Sequence, residues 1–566
     1  MLAATAAALL ALGSVALALR PALERALRAR IESEGARRGL IVRMETVRVG
    51  LWPPLRLTGV ALETRSSWRL SADQVDISWI GRTHLRVKNA LLGGPAGLTL
   101  AAASTGWDLA GVRGDDFTMA LKEPQEGLVL SRTSGLQERA WSVTLENLPV
   151  GRLLDVKRFN RPLLDGGMIR GSLLLKTSEA SVRFDGDLAA RSARLPALTG
   201  DPLKPAGLGK PTEVLAKISG VWSRAQGTLE IPRWSAEVEG ASMSGSLMAH
   251  DLEADPAVDL ALDVQRVDFA RLMRTWGLEP PEGLGRGAAA PVDLGSATLA
   301  ATAKGRVSEP ASFVVTQKLD FTPPQPMPPA IMRLRGGFVH EVTLETGARR
   351  GIDVSPVSPD FIALSDVPPL FLRALLIAED AGFYGHPGID LRELPSALIT
   401  DWNRGGAARG ASTITQQLAK NLFLSHEKEL GRKLQELALT CLLEAALDKR
   451  RILEIYLNVI QWGPNLYGLR PAARAYFDRE PAELSPAQMA FLVSIIPGPV
   501  KYQSSFAHGT PGPGLRKLVD GLLAKLRSVD ALTDEEYQSA LAEDIVVEGR
   551  GARPEPAAEA PQTQPE

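Results

Sequence analysis

The chain has 566 residues, more than one hydrophobic core usually holds, so at least two folded domains are expected. Its 64 basic and 65 acidic residues nearly cancel, which gives no indication of a nucleic-acid partner, and its apolar content of 45% argues against a polytopic membrane protein or a largely disordered chain. A single cysteine, Cys441, excludes an internal disulfide and a zinc site built from cysteines.

The amino terminus carries an apolar run that predicts a membrane anchor. Residues 2–19 contain no charged side chain and are just long enough for a spanning helix. A cleaved signal peptide is the alternative, but no polar segment separates the run from the helical sequence after it, so we expect an uncleaved anchor at residues 1–20. The arginines that follow the run favour a cytoplasmic location for the rest of the chain, which leaves the topology open.

Residues 21–330 are expected to form a β-rich domain, because from about residue 40 to 330 the pattern is mostly period-two alternation, typical of half-buried strands. In TVRVGL at 46–51 and VDLALDV at 258–264, every second residue is apolar. Many short strands of this kind predict a long antiparallel sheet or an open groove.

The anchor and two stretches of this region resemble the AsmA-like family of envelope proteins. The stretches are RIESEGARRGLIVRMETVRVGLWPPLRLTGVALE at 30–63 and MSGSLMAHDLEADPAVDLALDVQRVDFARLM at 243–273. The resemblance implies a curved β-groove with an apolar inner face and a role in lipid handling between bacterial membranes. The alternative is a β-rich spacer that holds the next domain away from the membrane, and both interpretations stay open.

The pattern changes after the proline cluster TPPQPMPPAIM at 322–332. We expect a linker at 331–360. From 361 to 545 apolar residues recur at three and four, as in LQELALTCLLEAAL, which predicts a mainly helical domain. The tail at 546–566 lacks apolar residues at most positions and is expected to be disordered.

Five segments of the helical half carry more polar and glycine residues than a helical bundle needs. Each has an ordinary explanation by itself. Glu379 and Asp380 would be solvated at a helix end, and His386 would be a structural histidine. The sequence STITQQ at 412–417 would cap a helix, with a hydroxyl at the start and a glutamine that reaches back.

Taken in order, the five segments resemble the motifs of the family 51 glycosyltransferases, the peptidoglycan transglycosylases. The first motif is matched at Glu379, Asp380, Phe383, His386 and Gly388, and the second at every fixed position from Gly410 to Gln417. The third falls on Arg432, Lys433 and Glu436, the fourth on Lys449, Ile452 to Glu454 and Tyr456 to Asn458, and the fifth on Gly468, Ala472, Ala473, Tyr476 and Phe477. The chain is most similar to monofunctional members, which carry no penicillin-binding domain.

The resemblance implies a lysozyme-like domain that polymerises lipid II, a disaccharide-peptide on undecaprenyl pyrophosphate. The acceptor's sugar 4-hydroxyl attacks the anomeric carbon of the growing chain, with inversion, and the lipid pyrophosphate leaves. A sugar hydroxyl needs a positioned base, and the resemblance implies Glu379, whose place at the end of an apolar helix is expected to raise its pKa. Inversion calls for a second acid across the cleft, and Glu436 fits because it lies on a different helix.

The remaining motif residues are assigned to the substrate or to the fold. Residues expected to bind substrate are Asp380, Phe383, His386, Gly388, Ser412, Thr413, Thr415, Gln416, Gln417, Lys420, Asn421, Lys428, Arg432 and Lys433. Among them Lys420 and Lys428 are assigned to the pyrophosphate, whereas Arg432 has a structural alternative. Residues expected to be structural are Glu454, Tyr456, Asn458, Gly468, Tyr476 and Phe477. No cofactor is required; a divalent cation, Mg²⁺ or Mn²⁺, bridging the pyrophosphate and Asp380 is left open.

The implied partners are lipid II, the growing glycan chain and the membrane bilayer, with a separate transpeptidase left open. The segment IDLRELPSALITDWNRGG at 389–406 is amphipathic and bears a tryptophan, so it would lie at a membrane interface or pack on its own domain. The substrate implies a single-pass protein of the bacterial inner membrane with its catalytic domain on the periplasmic side. The alternative functions are an AsmA-like lipid-binding protein that only grips lipid II and a muramidase-like hydrolase. The presence of Glu379 and Glu436 argues against a protein that only binds lipid II. The cations of Lys420, Lys428, Arg432 and Lys433 favour glycosyl transfer over hydrolysis, because a hydrolase has no lipid phosphate to stabilise.

Overall fold

The structure is a computed structural model that describes residues 2–37, 39–50, 55–64, 69–78, 83–93, 98–113, 116–123, 127–149, 155–158, 161–162, 167–193, 212–252, 254–275, 278, 284, 292–392, 395, 412–424 and 430–547. The chain divides into two compact units. The first comprises Met1–Val267, Arg274–Leu278 and Leu299–Val314, and the second comprises Asp268–Met273, Glu279–Thr298 and Val315–Glu566.

A long helix opens the first unit. Helix α1 spans Leu2–Arg37, and the side chains of residues 1–19 lie outside the described part. Its carboxyl-terminal half packs Leu27 and Ile31 against a small core made by Met44, Val47 and Leu57. Among the residues that the structure describes, no helix is both long and apolar enough to cross a membrane, so the spanning anchor stays a prediction.

The nineteen strands β1–β19 form one sheet, as the alternating sequence pattern predicts. Their bounds are Leu40–Arg43, Thr46–Val49, Leu55–Thr64, Arg69–Ser78, Thr83–Gly93, Leu98–Arg113, Asp116–Glu123, Leu128–Ser134, Arg139–Pro149, Asp155–Arg158, Arg161–Pro162, Met168–Thr177, Ser181–Ala193, Thr212–Ser223, Thr228–Val238, Ala241–His250, Ala257–Asp268, Ser296–Arg306 and Glu309–Thr322. Both β1 and β2 pair with β3, each strand from β3 to β8 pairs with the next, β9 pairs with β12, and β12 to β17 pair consecutively, all antiparallel.

One face of this sheet is apolar across seven strands. The residues that oppose one another from β9 to β17 are Val143, Leu173, Gly186, Ile218, Trp234, Gly245 and Leu262. Because successive side chains of a strand point to opposite faces, the neighbouring positions carry polar residues such as Asp185 and Ser219 on the other side. The alternation therefore predicted the two faces correctly. The curved groove that the AsmA-like resemblance implies stays a prediction.

The second unit is mainly helical after β19. Its further helices are α2 at Phe269–Thr275, which it shares with the first unit, α3 at Pro329–Met332, α4 at Pro369–Glu379, α5 at Ile414–Phe423, α6 at Leu430–Ala446, α7 at Lys449–Val459, α8 at Leu469–Phe477, α9 at Pro486–Ile495, α10 at Pro513–Ser528 and α11 at Asp534–Ala542. Two short hairpins accompany them: β20 at Phe338–Thr343 with β21 at Arg349–Val354, and β22 at Gln461–Gly463 with β23 at Leu466–Tyr467.

Helix α9 is the centre of the helical core. It is apolar over most of its length and buried at nearly every position, and it packs against α4, α8, α10 and α11. Ser485 caps its amino terminus, and the side-chain oxygen of Gln488 accepts a hydrogen bond from the Ser485 backbone amide. Phe491 on this helix meets Tyr476 and Phe477 edge to face, so the fifth motif is part of the core.

The segment at 331–360, expected to be a linker, is folded instead. The Arg335 guanidinium donates to the Ala446 carbonyl at 2.9 Å, and Arg451 donates to the Leu334 carbonyl at 2.9 Å. Further along, Arg350 donates to the Asn465 carbonyl at 2.6 Å and lies over the Tyr467 ring. These contacts hold the β20–β21 hairpin on the helices of the same unit. The tail from residue 548 lies outside the described residues.

Candidate active site

Glu379 stands where α4 ends. This helix buries Phe371, Ala374 and Leu375 on its inner face, and its last residue, Glu379, is half-buried with solvent still in reach. The Gln417 amide donates to the Glu379 carboxylate at 2.7 Å. This hydrogen bond fixes the orientation of the carboxylate at the end of the helix.

Tyr456 fixes the direction in which the Gln417 amide points. Its hydroxyl donates to the side-chain oxygen Oε1 of Gln417 at 2.8 Å, which leaves the side-chain nitrogen Nε2 to face Glu379. Burial raises the pKa of Tyr456 well above its usual value, and the charges of Glu379 and Asp380 raise it further, so the hydroxyl stays protonated and able to donate. A tyrosine of the fourth motif thus orients a glutamine of the second motif toward the acid of the first.

Asp380, the residue after Glu379, is enclosed by the protein. One carboxylate oxygen accepts from His386 Nε2 at 2.8 Å, and the other accepts from the backbone amide of Ile414 at 3.0 Å. The Gly388 amide donates to His386 Nδ1, so the ring is the neutral tautomer with its proton on Nε2. The side chains of Asp380 and His386 are 3% and 1% exposed. Both hold the first-motif loop in place, and the substrate contacts expected of them stay predictions.

This arrangement does not fit the bridging cation considered from the sequence. Both oxygens of Asp380 accept hydrogen bonds from within the protein, and the side chain is almost completely covered. Over the described residues there is also no group of three or more histidine, cysteine, aspartate or glutamate side chains that could hold a metal ion.

The second motif begins α5 with a capping box. The Gln416 amide donates to the Thr413 hydroxyl at 3.2 Å, and the Gln416 side chain accepts from the Thr413 amide at 3.0 Å. The Thr413 hydroxyl itself donates to the Gly388 carbonyl at 2.5 Å. Thr413 and Gln416 were expected to bind substrate, but both are buried, and the ordinary explanation of the STITQQ pattern describes what they do here.

Gly388 is a glycine because the loop passes very close to α6. Its φ is +83°, and a Cβ at this position would lie 2.6 Å from the Thr440 side chain and 2.7 Å from that of Glu444. Phe383, expected to contact substrate, is likewise fully buried.

A second polar cluster lies beside the motif residues, and one member, Glu444, was not singled out from the sequence. Glu444 accepts from the Thr415 hydroxyl at 2.6 Å and from the Lys449 ammonium at 2.7 Å, and Lys449 lies 4.4 Å from the centre of the Phe383 ring. Glu444 lies on the same face of α6 as Glu436, two repeats of four residues further on, and this spacing is the signal that could have found it. The cluster ties Thr415 and Phe383 to α6 and α7.

Glu436, the second predicted acid, is buried on α6 and forms an ion pair with Lys433, one turn earlier. Lys433 also donates to the Ser412 hydroxyl at 3.3 Å, and its side chain is 42% exposed. The third motif therefore meets the residues that start α5. Because the partner of Lys433 is a buried carboxylate, its ammonium is held beside Ser412 while part of it faces solvent.

The other predicted site residues divide between described and undescribed parts. Lys420 is exposed on α5, and Arg432 is half-buried on α6. The Asn421 side-chain amide donates to the backbone carbonyl of Gln417 at 2.8 Å. Lys428, Gly410 and nearly all of the amphipathic segment beyond Arg392 lie outside the described residues. The choice between a membrane interface and internal packing for that segment stays open.

The residues expected to be structural all make internal contacts. Glu454 accepts from the Leu364 amide at 3.1 Å, and Asn458 exchanges two hydrogen bonds with the Ile362 backbone, each 2.9 Å long. Tyr476 donates to the Trp462 carbonyl at 2.9 Å, and burial raises its pKa to about 12. Gly468 begins α8 with a φ of +87°.

The contacts of Asp380 predict a specific effect of removing its charge. Asp380→Asn should speed hydrogen exchange at the Ile414 amide and destabilise the second unit by about 1–3 kcal/mol, because a buried donor loses its charged acceptor. Native-state hydrogen exchange measures both quantities, and the exposed Asp366→Asn serves as the control. Unchanged protection at Ile414 would show that Asp380 does not hold this helix start.

Comparison with known proteins places these motifs in one family. Residues 350–511 match the transglycosylase family model. A biosynthetic peptidoglycan transglycosylase of Cupriavidus metallidurans is 45% identical over 144 residues, which is 25% of this chain and 62% of that protein. One of Nitrosomonas eutropha is 50% identical over 132 residues, 23% of this chain and 54% of that protein.

The chain thus spans between about half and two thirds of the length of these curated relatives. A biosynthetic peptidoglycan transglycosylase of Nitrobacter winogradskyi is 38% identical over 182 residues, which is 32% of this chain and 78% of that protein. Through this segment of its second unit, the chain belongs to the biosynthetic peptidoglycan transglycosylase family.

Proposed function

We propose that the protein is a membrane-anchored peptidoglycan glycosyltransferase that polymerises lipid II into glycan strands by inverting transfer. The observation that carries the proposal is the state of Glu379, an accessible carboxylate at a helix end whose hydrogen-bond donor, Gln417, is itself oriented by Tyr456. Family membership supports the reaction class, and the geometry supports the choice of base.

In the proposed reaction Glu379 takes the proton of the acceptor's sugar 4-hydroxyl. The hydroxyl oxygen forms a bond to the anomeric carbon of the growing chain while the bond from that carbon to the lipid pyrophosphate breaks. The electron pair and the negative charge leave with undecaprenyl pyrophosphate. One displacement of this kind inverts the anomeric carbon.

Glu436 is the second acid of the proposal. Its ion pair with Lys433 keeps a cation beside Ser412 at the start of α5. Lys420 and Lys428 are assigned to the leaving pyrophosphate, because fixed positive charge stabilises the negative charge that develops there. Lys420 is exposed on the same helix that carries Gln417, which is compatible with this role.

The proposal includes a location and partners. The lipid of the substrate lies in a bilayer, so the site must meet a membrane surface, and lipid II is used on the periplasmic side of the bacterial inner membrane. The apolar run at 2–19 would supply the single anchor. A separate transpeptidase would cross-link the product, and no nucleic acid takes part.

Lipid binding by the first unit, as in an AsmA-like protein, is the second candidate function. It is favoured by the apolar row across seven strands, whose members Leu173 and Ile218 are 37% and 41% exposed. A half-exposed apolar face of this extent suits acyl chains. In that case the second unit would grip lipid II without polymerising it.

The central test is glycan-chain formation from labelled lipid II by the purified full-length protein. We expect polymer from the wild type and a loss of rate of at least about 100-fold in Glu379→Gln, since a positioned base contributes that much. The exposed Glu535→Gln is the control and should polymerise normally. Wild-type protein that binds lipid II and makes no polymer would favour the second candidate, and wild-type rates in Glu379→Gln would exclude Glu379 as the base.

The orientation of Gln417 gives a further prediction. Tyr456→Phe keeps the ring in the core but removes the donor that fixes the amide, so kcat should fall about tenfold, as expected for one lost hydrogen bond. Tyr537→Phe, outside the site, is the control. Steady-state polymerisation kinetics provide the measurement, and a kcat equal to that of the wild type would contradict the Tyr456–Gln417–Glu379 chain.

A further inference from the structure

Gln317 is an amide in an otherwise apolar row. Strand β19 alternates between exposed and less exposed positions, and the less exposed residues from 313 to 321 are Phe313, Val315, Gln317, Leu319 and Phe321. A polar side chain in such a row is costly unless its hydrogen-bonding groups are satisfied. Gln317 belongs to the second unit, which begins here at Val315.

Both ends of the Gln317 amide bind one short stretch of backbone. Its nitrogen donates to the Ile389 carbonyl at 2.7 Å, and its oxygen accepts from the Leu391 amide at 2.8 Å. A carbonyl and an amide two residues apart on an extended chain are the pair that a neighbouring strand would engage. The side chain therefore fixes the backbone of 389–391 in the way a strand partner does.

This stretch joins the first motif to the second. On its amino-terminal side, Gly388 is already held by the Thr413 hydroxyl and by His386. Within the stretch, the Asp390 carboxylate accepts from the Arg392 guanidinium at 2.6 Å. Gln317 adds a contact from a distant element of the chain.

We propose that Gln317 is a positioning residue that fixes the backbone directly after the first motif, residues 389–391, and thereby assists capture of the lipid-linked substrate. This inference rests on the proposed function. Glu379, Asp380 and His386 keep their own contacts without Gln317, so the chemical step does not depend on it. The functional part of the second unit then extends upstream of the family match at residue 350 to include Gln317.

The test uses the full-length protein with Gln317→Leu, which keeps the volume and removes both hydrogen bonds. Lys318→Ala, on the exposed face of the same strand, is the matched control. Hydrogen exchange at the Leu391 amide should become about tenfold faster in Gln317→Leu, as expected for a lost hydrogen bond, and should not change in the control. Unchanged exchange in Gln317→Leu would show that the two Gln317 hydrogen bonds, called here the Gln317 clamp, do not hold this backbone.

Polymerisation kinetics provide the functional readout. We expect the KM for lipid II to rise about five- to tenfold in Gln317→Leu with kcat within about twofold of the wild type, because binding and not the chemical step is affected. A fall in kcat at constant KM would overturn the assignment to capture. If the wild type makes no polymer, the proposed function fails, and the role of Gln317 is then tested by the Kd for lipid II. A five- to tenfold higher Kd in Gln317→Leu than in the wild type supports the role of Gln317 in substrate capture. An equal Kd overturns that role.

Discussion

The amino terminus of α5 is the constraint on which the site depends. Backbone amides in the first turn of a helix have no partner within it, and they attract negative charge. Here the Ile414 amide takes the Asp380 carboxylate, which holds the residue next to Glu379, while Thr413 and Gln416 cap each other. One turn further on, Gln417 reaches Glu379 itself. Just before the helix, Ser412 meets Lys433 and through it Glu436. Both acids of the proposed mechanism are therefore positioned from one helix end.

Most polar residues of the motifs serve this arrangement from the inside. Asp380, His386, Thr413 and Thr415 are buried with internal partners, and a buried polar group that loses its partner costs more than the hydrogen bond gained. Among the motif residues that the structure describes, the Glu379 carboxylate and the cations of Lys420 and Lys433 keep access to solvent. Rigid surroundings with a small accessible set suit a site that must orient two sugars, because little reorganisation is then needed during the reaction.

The sequence predicted the elements better than their contacts. Alternation at 258–264 and the change of period near 361 reflect local geometry, so the sheet and the helical half could be expected. The motif spacing likewise made Glu379 and Gln417 candidate site residues, and their side chains are in contact. It could not show that Asp380 and His386 face inward, because burial is decided by segments far away in the chain. For the same reason Glu444, the folded segment at 331–360 and the Gln317 clamp were not predicted: each depends on pairs separated by many residues.

The most direct measurement is an experimental structure of the full-length protein with a non-hydrolysable lipid II analogue bound. We expect the acceptor's sugar 4-hydroxyl at about 2.6–3.2 Å from the Glu379 carboxylate, the reach that a general base requires. The Tyr456–Gln417 contact should be intact in that complex. An acceptor hydroxyl bound to another group, with Glu379 facing away from the sugar, would exclude Glu379 as the base.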